Sequence, residues 1–105
     1  MSHVFLGVDV GTGSVRAGLF DAAGRNLGQG VHEIRIWRPA DDFVEQSSDD
    51  IWHAAGMAVR AALAEAALSP DAVAGVGFDA TCSLVVLDAQ DQPVSVSPGA
   101  TPSRT

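Results

Sequence analysis

The chain has 105 residues, 47% of them hydrophobic and 18% charged, with a mean hydropathy of +0.18. This is one domain's worth of sequence with ample apolar material for a core, which excludes general disorder and a two-domain body. Six Lys+Arg stand against 13 Asp+Glu for a formal net charge of −7, and all six cations are arginine. The acidity argues against wrapping by nucleic acid or an anionic membrane. The missing lysine excludes a Walker A loop, a protein-kinase strand lysine and Schiff-base chemistry, each of which needs an ε-amine.

The first apolar run, Val4 to Val10, is short and rich in β-branched residues, and is expected to be a strand buried on both faces. It ends at the turn-prone Gly11-Thr12-Gly13-Ser14. Val15 to Phe20 forms a second strand. Asp21 to Arg25 then makes a hairpin connection, with Gly24 at a left-handed position. A third strand is predicted over Leu27 to Ile36, so the opening is a three-stranded meander. Arg38 to Asp42, with Pro39 and two adjacent carboxylates, is predicted to be a surface loop.

A helix follows, introduced by the capping oxygens and first-turn carboxylates of Ser47-Ser48-Asp49-Asp50 and stopped by Ser69-Pro70. Ile51, Trp52, Ala55, Ala58, Val59, Ala62, Leu63 and Ala66 define its apolar side. Gly56 inside it costs about 1 kcal/mol against alanine. Val73 to Asp79 is predicted to be another buried strand, and Ser83 to Asp88 a further one before a hairpin loop. The two halves echo each other, each running strand, aspartate, small-residue turn, strand, aspartate, loop, an echo too loose to be a repeat. From Ser95 onward nothing is periodic, and a poorly ordered tail is expected.

Two stretches carry candidate chemistry. Asp9 to Ser14 delivers a carboxylate from a strand end into a turn of small residues. Its N–H groups can converge on a phosphate, with Thr12 and Ser14 adding hydroxyls, Asp9 holding magnesium through water and Arg16 neutralising charge. The same residues also suit a plain tight hairpin. They are not a Rossmann fingerprint, because position 16 is Arg and a strand follows. Asp79 to Ser83 again brings a carboxylate and hydroxyls into a turn that suits a polyol, or that satisfies its own backbone with Cys82 filling core space. His3, His32 and His53 have no spacing that suggests a metal or a triad, and Trp37 and Trp52 are read as packing residues. One cysteine forms no internal disulfide, the N-terminus resembles no signal peptide, and no window approaches the ~18 apolar residues of a membrane span. A cytoplasmic address with no membrane partner follows as the expectation.

Taken together and in order, Gly7 to Asp21, Glu45 to Trp52 and Gly75 to Leu84 resemble the N-terminus of the FGGY carbohydrate kinases, in their ribulokinase-like branch, over about residues 3–98. Glycerol kinases would show an Asn-Gln-Arg-Glu-Thr-like run near 78–82, and xylulokinases a Gln-Met-His-Gly-like one. Here the run is Phe78-Asp79-Ala80-Thr81-Cys82. The resemblance implies an α/β, ribonuclease H-like mixed sheet with a packed helix, as in the actin-like ATPase superfamily. Residues 1–98 would be an incomplete N-terminal domain and 99–105 a disordered tail.

It further implies ATP and Mg2+ as cofactors. Asp9 would position the metal, Gly11, Thr12, Gly13 and Ser14 would form the phosphate loop, and Arg16 would lie near the phosphates. Asp79, Ala80, Thr81 and Cys82 would line a sugar pocket. The family's catalytic aspartate and adenosine pocket lie downstream, and Gly99 to Thr105 do not match the Trp-x-Asp-x-Arg-like segment expected there. The implied function is the N-terminal part of an ATP-dependent pentulose kinase, acting on D-ribulose, or on L-ribulose or ribitol as near alternatives. It would be inactive without its C-terminal domain, and the parent enzyme would be a possible homo-oligomer. The alternative is a non-catalytic actin-like fragment that binds a ligand or partner weakly.

Overall fold

Period-two alternation of apolar residues produces β1 (Val4–Val10) and β2 (Ser14–Asp21), which pair antiparallel. In the computed structural model, which describes residues 3–82 and 84–94, Val4, Leu6 and Val8 of β1 and Val15, Ala17 and Leu19 of β2 are buried on one side. The other side is open, with Phe5 43% exposed and Asp9 exposed. The expectation of a first strand buried on both faces is therefore corrected to burial on one.

The Asp21 carboxylate accepts the N–H groups of Ala23 and Arg25, both at 2.9 Å, and Gly24 takes a left-handed φ of 85°, so the chain turns into β3 (Asn26–Glu33). The third strand stops at Glu33 and not at Ile36 because β2 runs out beside it, Ser14 pairing with Glu33. Beyond that pair the Ile34 N–H bonds the Gly13 carbonyl at 3.0 Å, and the Arg35 N–H bonds the Asp50 carboxylate at 2.8 Å. The segment read as a loop is a small ribbon of its own. β4 (Trp37–Ala40) pairs antiparallel with β5 (Phe43–Glu45), with Asp41 and Asp42 at the tip. Turn-forming residues marked a hairpin end there, not the absence of strands.

Helix α1 (Ser48–Ala66) starts as its sequence dictates, the buried Ser47 hydroxyl accepting the Asp50 N–H at 3.2 Å. It ends in a Schellman motif ahead of Ser69-Pro70. Ala67 is left-handed at φ 55°, its N–H bonds the Ala64 carbonyl, and the Leu68 N–H bonds the Leu63 carbonyl at 3.0 Å. The packed face is Ala54, Ala55, Ala58 and Ala62, whereas Trp52 is 76% exposed and does not belong to it.

That alanine face packs against β3. Gly28 and Gly30 face α1, and a Cβ added at Gly28 would lie 2.7 Å from the Ala62 carbonyl oxygen, while one at Gly30 would run into the Ala58 carbonyl. Glycine under alanine lets helix and sheet approach backbone to backbone, which a large aromatic in the same row would forbid.

A short 3-10 turn, Pro70–Ala72, leads into β6 (Val73–Ala80), which lies parallel to β1 and completes the order β3-β2-β1-β6. Val76 and Phe78 stand beside Leu6 and Val8, yet they are 54% and 65% exposed because α1 lies over β2 and β3. After β6 the expected strand at 83–88 does not form. Leu84, Val85 and Val86 are exposed, and among the described residues the segment pairs through one bridge, Leu87 to Pro93, flanked by the Val94 N–H bond to the Val86 carbonyl and the Asp88 N–H bond to the Gln92 carbonyl. Ser83 and the expected tail lie outside the described residues. The echo between the two halves is nonetheless real at the turns. Asp88 accepts the N–H groups of Gln90 and Gln92 as Asp21 accepts those of Ala23 and Arg25, and Asp91 (φ 61°) stands where Gly24 does.

Candidate functional site

The two candidate stretches leave the carboxyl ends of adjacent parallel strands. Asp9 is the penultimate residue of β1, and Asp79 occupies the same position in β6. The parallel register pairs Asp9 with Asp79, and the antiparallel register pairs Asp9 with Arg16 on β2. Asp79, Asp9 and Arg16 therefore form one row across three strands, on the open face away from α1, with neighbours about 5 Å apart. The row below it is Gly77, Gly7 and Gly18. No side chains rise there, and a shallow trough of about 500 Å3 runs from the charged row to Phe20.

The turn itself is tightly determined. The Gly11 N–H closes it on the Ser14 carbonyl at 2.9 Å, and Thr12 and Gly13 lie exposed at its tip. A Cβ at Gly11 would lie 3.1 Å from the Ser14 carbonyl oxygen, so glycine suits the position sterically, while nothing approaches Gly13. Backbone amides and the Thr12 and Ser14 hydroxyls are thus available beside one cation and two carboxylates. That donor set fits a triphosphate whose magnesium keeps most of its waters. Among the described residues no group of three or more His, Cys, Asp or Glu is placed to hold a metal ion.

After β6 the chain passes through Ala80, Thr81 and Cys82, all exposed, with Cys82 left-handed at φ 64° and its thiol 3.7 Å from the Ala80 carbonyl. The reading of Cys82 as a core filler is overturned by this exposure. A separate hollow of about 290 Å3 opens between Gln46, Ile51 and the Leu84–Val86 segment, and none of residues 79–82 lines it.

Three features escaped the sequence reading. The Gln46 amide donates to the Thr12 carbonyl at 2.6 Å, tying the turn to the start of α1 across 34 residues of chain. Arg35 pairs with Asp50 at 3.3 Å while its guanidinium lies 5.0 Å from the Trp37 ring centroid. His32 and His53, which sequence spacing keeps apart, meet edge to face at 5.6 Å. The signals for Gln46 were its place in the Glu45–Trp52 stretch of the resemblance and a polar residue immediately before a helix cap, neither of which assigned it a role. Among the described residues no helix is long and apolar enough to cross a membrane.

Residues 4–97 match the model of the FGGY family of carbohydrate kinases, N-terminal domain. The chain is 47% identical over 93 residues to an FGGY carbohydrate kinase domain-containing protein of Xenopus laevis, covering 89% of this chain and 16% of that one. It is 42% identical over 95 residues to a D-ribulokinase of Saccharomyces cerevisiae, covering 90% of this chain and 13% of that one. In structure it superposes on a xyloylose kinase from Brucella ovis with a TM-score of 0.77 at 30% identity, covering 87% of this chain and 19% of the other. The fold is that of the N-terminal piece of sugar kinases of the actin-like ATPase class, and the chain spans about a sixth or less of the length of these curated relatives.

Proposed function

This chain belongs to the FGGY family of carbohydrate kinases, and from that membership we propose that it forms the phosphate- and sugar-facing corner of an ATP-dependent pentulose kinase. D-ribulose is the favoured substrate, with L-ribulose and ribitol as the near alternatives. The observation that carries this reading is the in-register row Asp79–Asp9–Arg16, which sets the turn at 11–14 beside the turn at 79–82. Gly11, Thr12, Gly13 and Ser14 offer amides and hydroxyls to phosphate oxygens, and Arg16 neutralises part of their charge. Asp9 orients the waters of a magnesium ion, which when bound screens the charge on the transferring phosphoryl group.

On this reading Asp79, Ala80, Thr81 and Cys82 face the sugar. The alignment of phosphate and hydroxyl is a matter of placement, because the two turns are one strand spacing apart. The base that accepts the hydroxyl proton, the adenosine contacts and a cytoplasmic setting are assigned to the longer protein. Isothermal titration of the 105-residue chain tests the proposal. Mg-ATP binding should be lost in an Asp9→Asn, Arg16→Ala double variant, and D-ribulose binding should be lost in Asp79→Ala. A chain that binds neither ligand is a bare structural remnant and overturns the proposal. Ribulose-dependent ATP turnover by the chain alone would overturn the assignment of the base to the longer protein.

A further inference from the structure

Two peptide planes of the 11–14 turn are fixed from outside the β1–β2 pair. The Gln46 side-chain N–H holds the Thr12 carbonyl at 2.6 Å, and the Ile34 N–H holds the Gly13 carbonyl at 3.0 Å. In a trans peptide the carbonyl and the following N–H point in opposite directions. These two bonds therefore aim the Gly13 and Ser14 N–H groups away from Gln46 and Ile34. The bond that closes the turn uses the Gly11 N–H and the Ser14 carbonyl, so it consumes neither of them.

The two anchors differ in kind. Ile34 contributes backbone, which any residue but proline supplies, whereas Gln46 contributes a side-chain amide. The Thr12–Gly13 plane is also the one most prone to flip. Glycine accepts either sign of φ, and nothing lies within 4 Å of where a Gly13 Cβ would stand. A flipped plane would turn the Thr12 carbonyl oxygen toward an approaching anion and replace attraction by repulsion. Gln46 is itself held in place, one residue after β5 and one before the buried cap Ser47.

We propose that Gln46 is the positioning residue of this turn, clamping the Thr12–Gly13 peptide so that the Gly13 N–H is presented to a phosphate oxygen. The proposal rests on reading residues 11–14 as a phosphate turn. It is tested on the 15N-labelled 105-residue chain with Mg-ATP as probe, comparing Gln46→Glu, Gln46→Ala and Gln46→Lys. The first two remove the donor, and the third keeps one.

Expected are displaced Gly13 and Ser14 amide resonances in the unliganded Gln46→Glu and Gln46→Ala chains, and Mg-ATP binding weakened about tenfold. Gln46→Lys should recover most of the affinity, with exchange protection of α1 unchanged throughout. Should Gln46→Ala loosen α1, the Gly13 and Ser14 resonances of the unliganded Gln46→Lys and Gln46→Glu chains decide, because both keep a long side chain, differ in the donor, and without ligand their opposite charges have no Mg-ATP to act on. Variants that bind like the wild type overturn this inference alone. A wild-type chain whose 11–14 amides ignore Mg-ATP overturns the phosphate reading, and this inference with it.

Discussion

Gly30 of β3 lies directly beneath Ala58 of α1, so close that a Cβ on the glycine would run into the alanine's carbonyl oxygen. The atom in the way is helix backbone, which cannot swing aside as a side-chain tip would. Gly30→Ala is expected to destabilise the chain by about 2–4 kcal/mol or to prevent folding. Gly56, inside α1 with nothing within 4 Å of its missing Cβ, should behave oppositely, Gly56→Ala gaining about 0.5–1 kcal/mol. Urea unfolding midpoints of the two variants check the contrast, and a Gly30→Ala chain as stable as wild type would refute the close approach.

The two ends of α1 give a pair of opposite predictions. Ser47→Ala removes the hydroxyl that accepts the Asp50 N–H and should cost about 1 kcal/mol. Ala67 is an L-residue in a left-handed cap at φ 55°, so Ala67→Gly should stabilise the chain by about 0.5–1 kcal/mol, despite the greater freedom of glycine when unfolded. Thermal unfolding by circular dichroism separates the two signs.

Acid should weaken the Asp21 turn. The Arg25 N–H donating to the Asp21 carboxylate, helped by the Arg25 guanidinium 2.7 Å away, holds Asp21 below its ordinary pKa of 3.8. A carboxylate depressed in the folded state contributes its full stability above the unfolded pKa and loses it as pH falls through the folded one. Wild type should therefore lose melting temperature more steeply than Asp21→Asn on acidification below about pH 4. Equal slopes would show that the turn does not report on folding.

The uncovered strand β6 should govern solution behaviour. Val76 at 54% and Phe78 at 65% exposure stand side by side with buried neighbours on β1, an apolar strip beside a sheet edge that has no further strand among the described residues. Val76→Thr with Phe78→Thr should reduce dye binding and concentration-dependent self-association of the 105-residue chain, measured by light scattering. The double variant should leave the melting temperature nearly unchanged, because little burial is lost.

The parts of the fold legible in the sequence are those where local pattern and tertiary outcome agree. β1 and β2 follow as strands from short apolar runs that end at turn residues, although β1 is buried on one face and not two, α1 follows from its Ser47 cap, and the Asp21 turn from Gly24. What was not legible depends on neighbours. Leu84 and Val85 have strand composition but belong to no strand, and Val86 only accepts the Val94 N–H beside a single bridge, while Pro39 inside β4 and the Asp41–Asp42 pair at its tip hid the ribbon. Trp52 was placed on the packed face by periodicity, and only Gly28 and Gly30 explain why that face admits nothing larger than alanine in its buried row. In the candidate site, Asp9, the 11–14 turn and the 79–82 turn could be found singly. Their union in one row needed the parallel register of β1 and β6, and Gln46 needed the fold itself.

That register also sets an order of assembly. β1, β2, β3 and α1 join segments close in sequence, whereas Val8 meets Phe78 only after the whole intervening chain has been made. Loop-closure entropy makes such a contact late. During synthesis the meander and its helix can therefore form while β6 is still inside the ribosome, presenting β1 as a temporary open edge. The Asp79–Asp9 pair is then the last part of the row to come together, and truncation before residue 73 should leave a chain that still forms α1 but keeps β1 free to pair with a stranger.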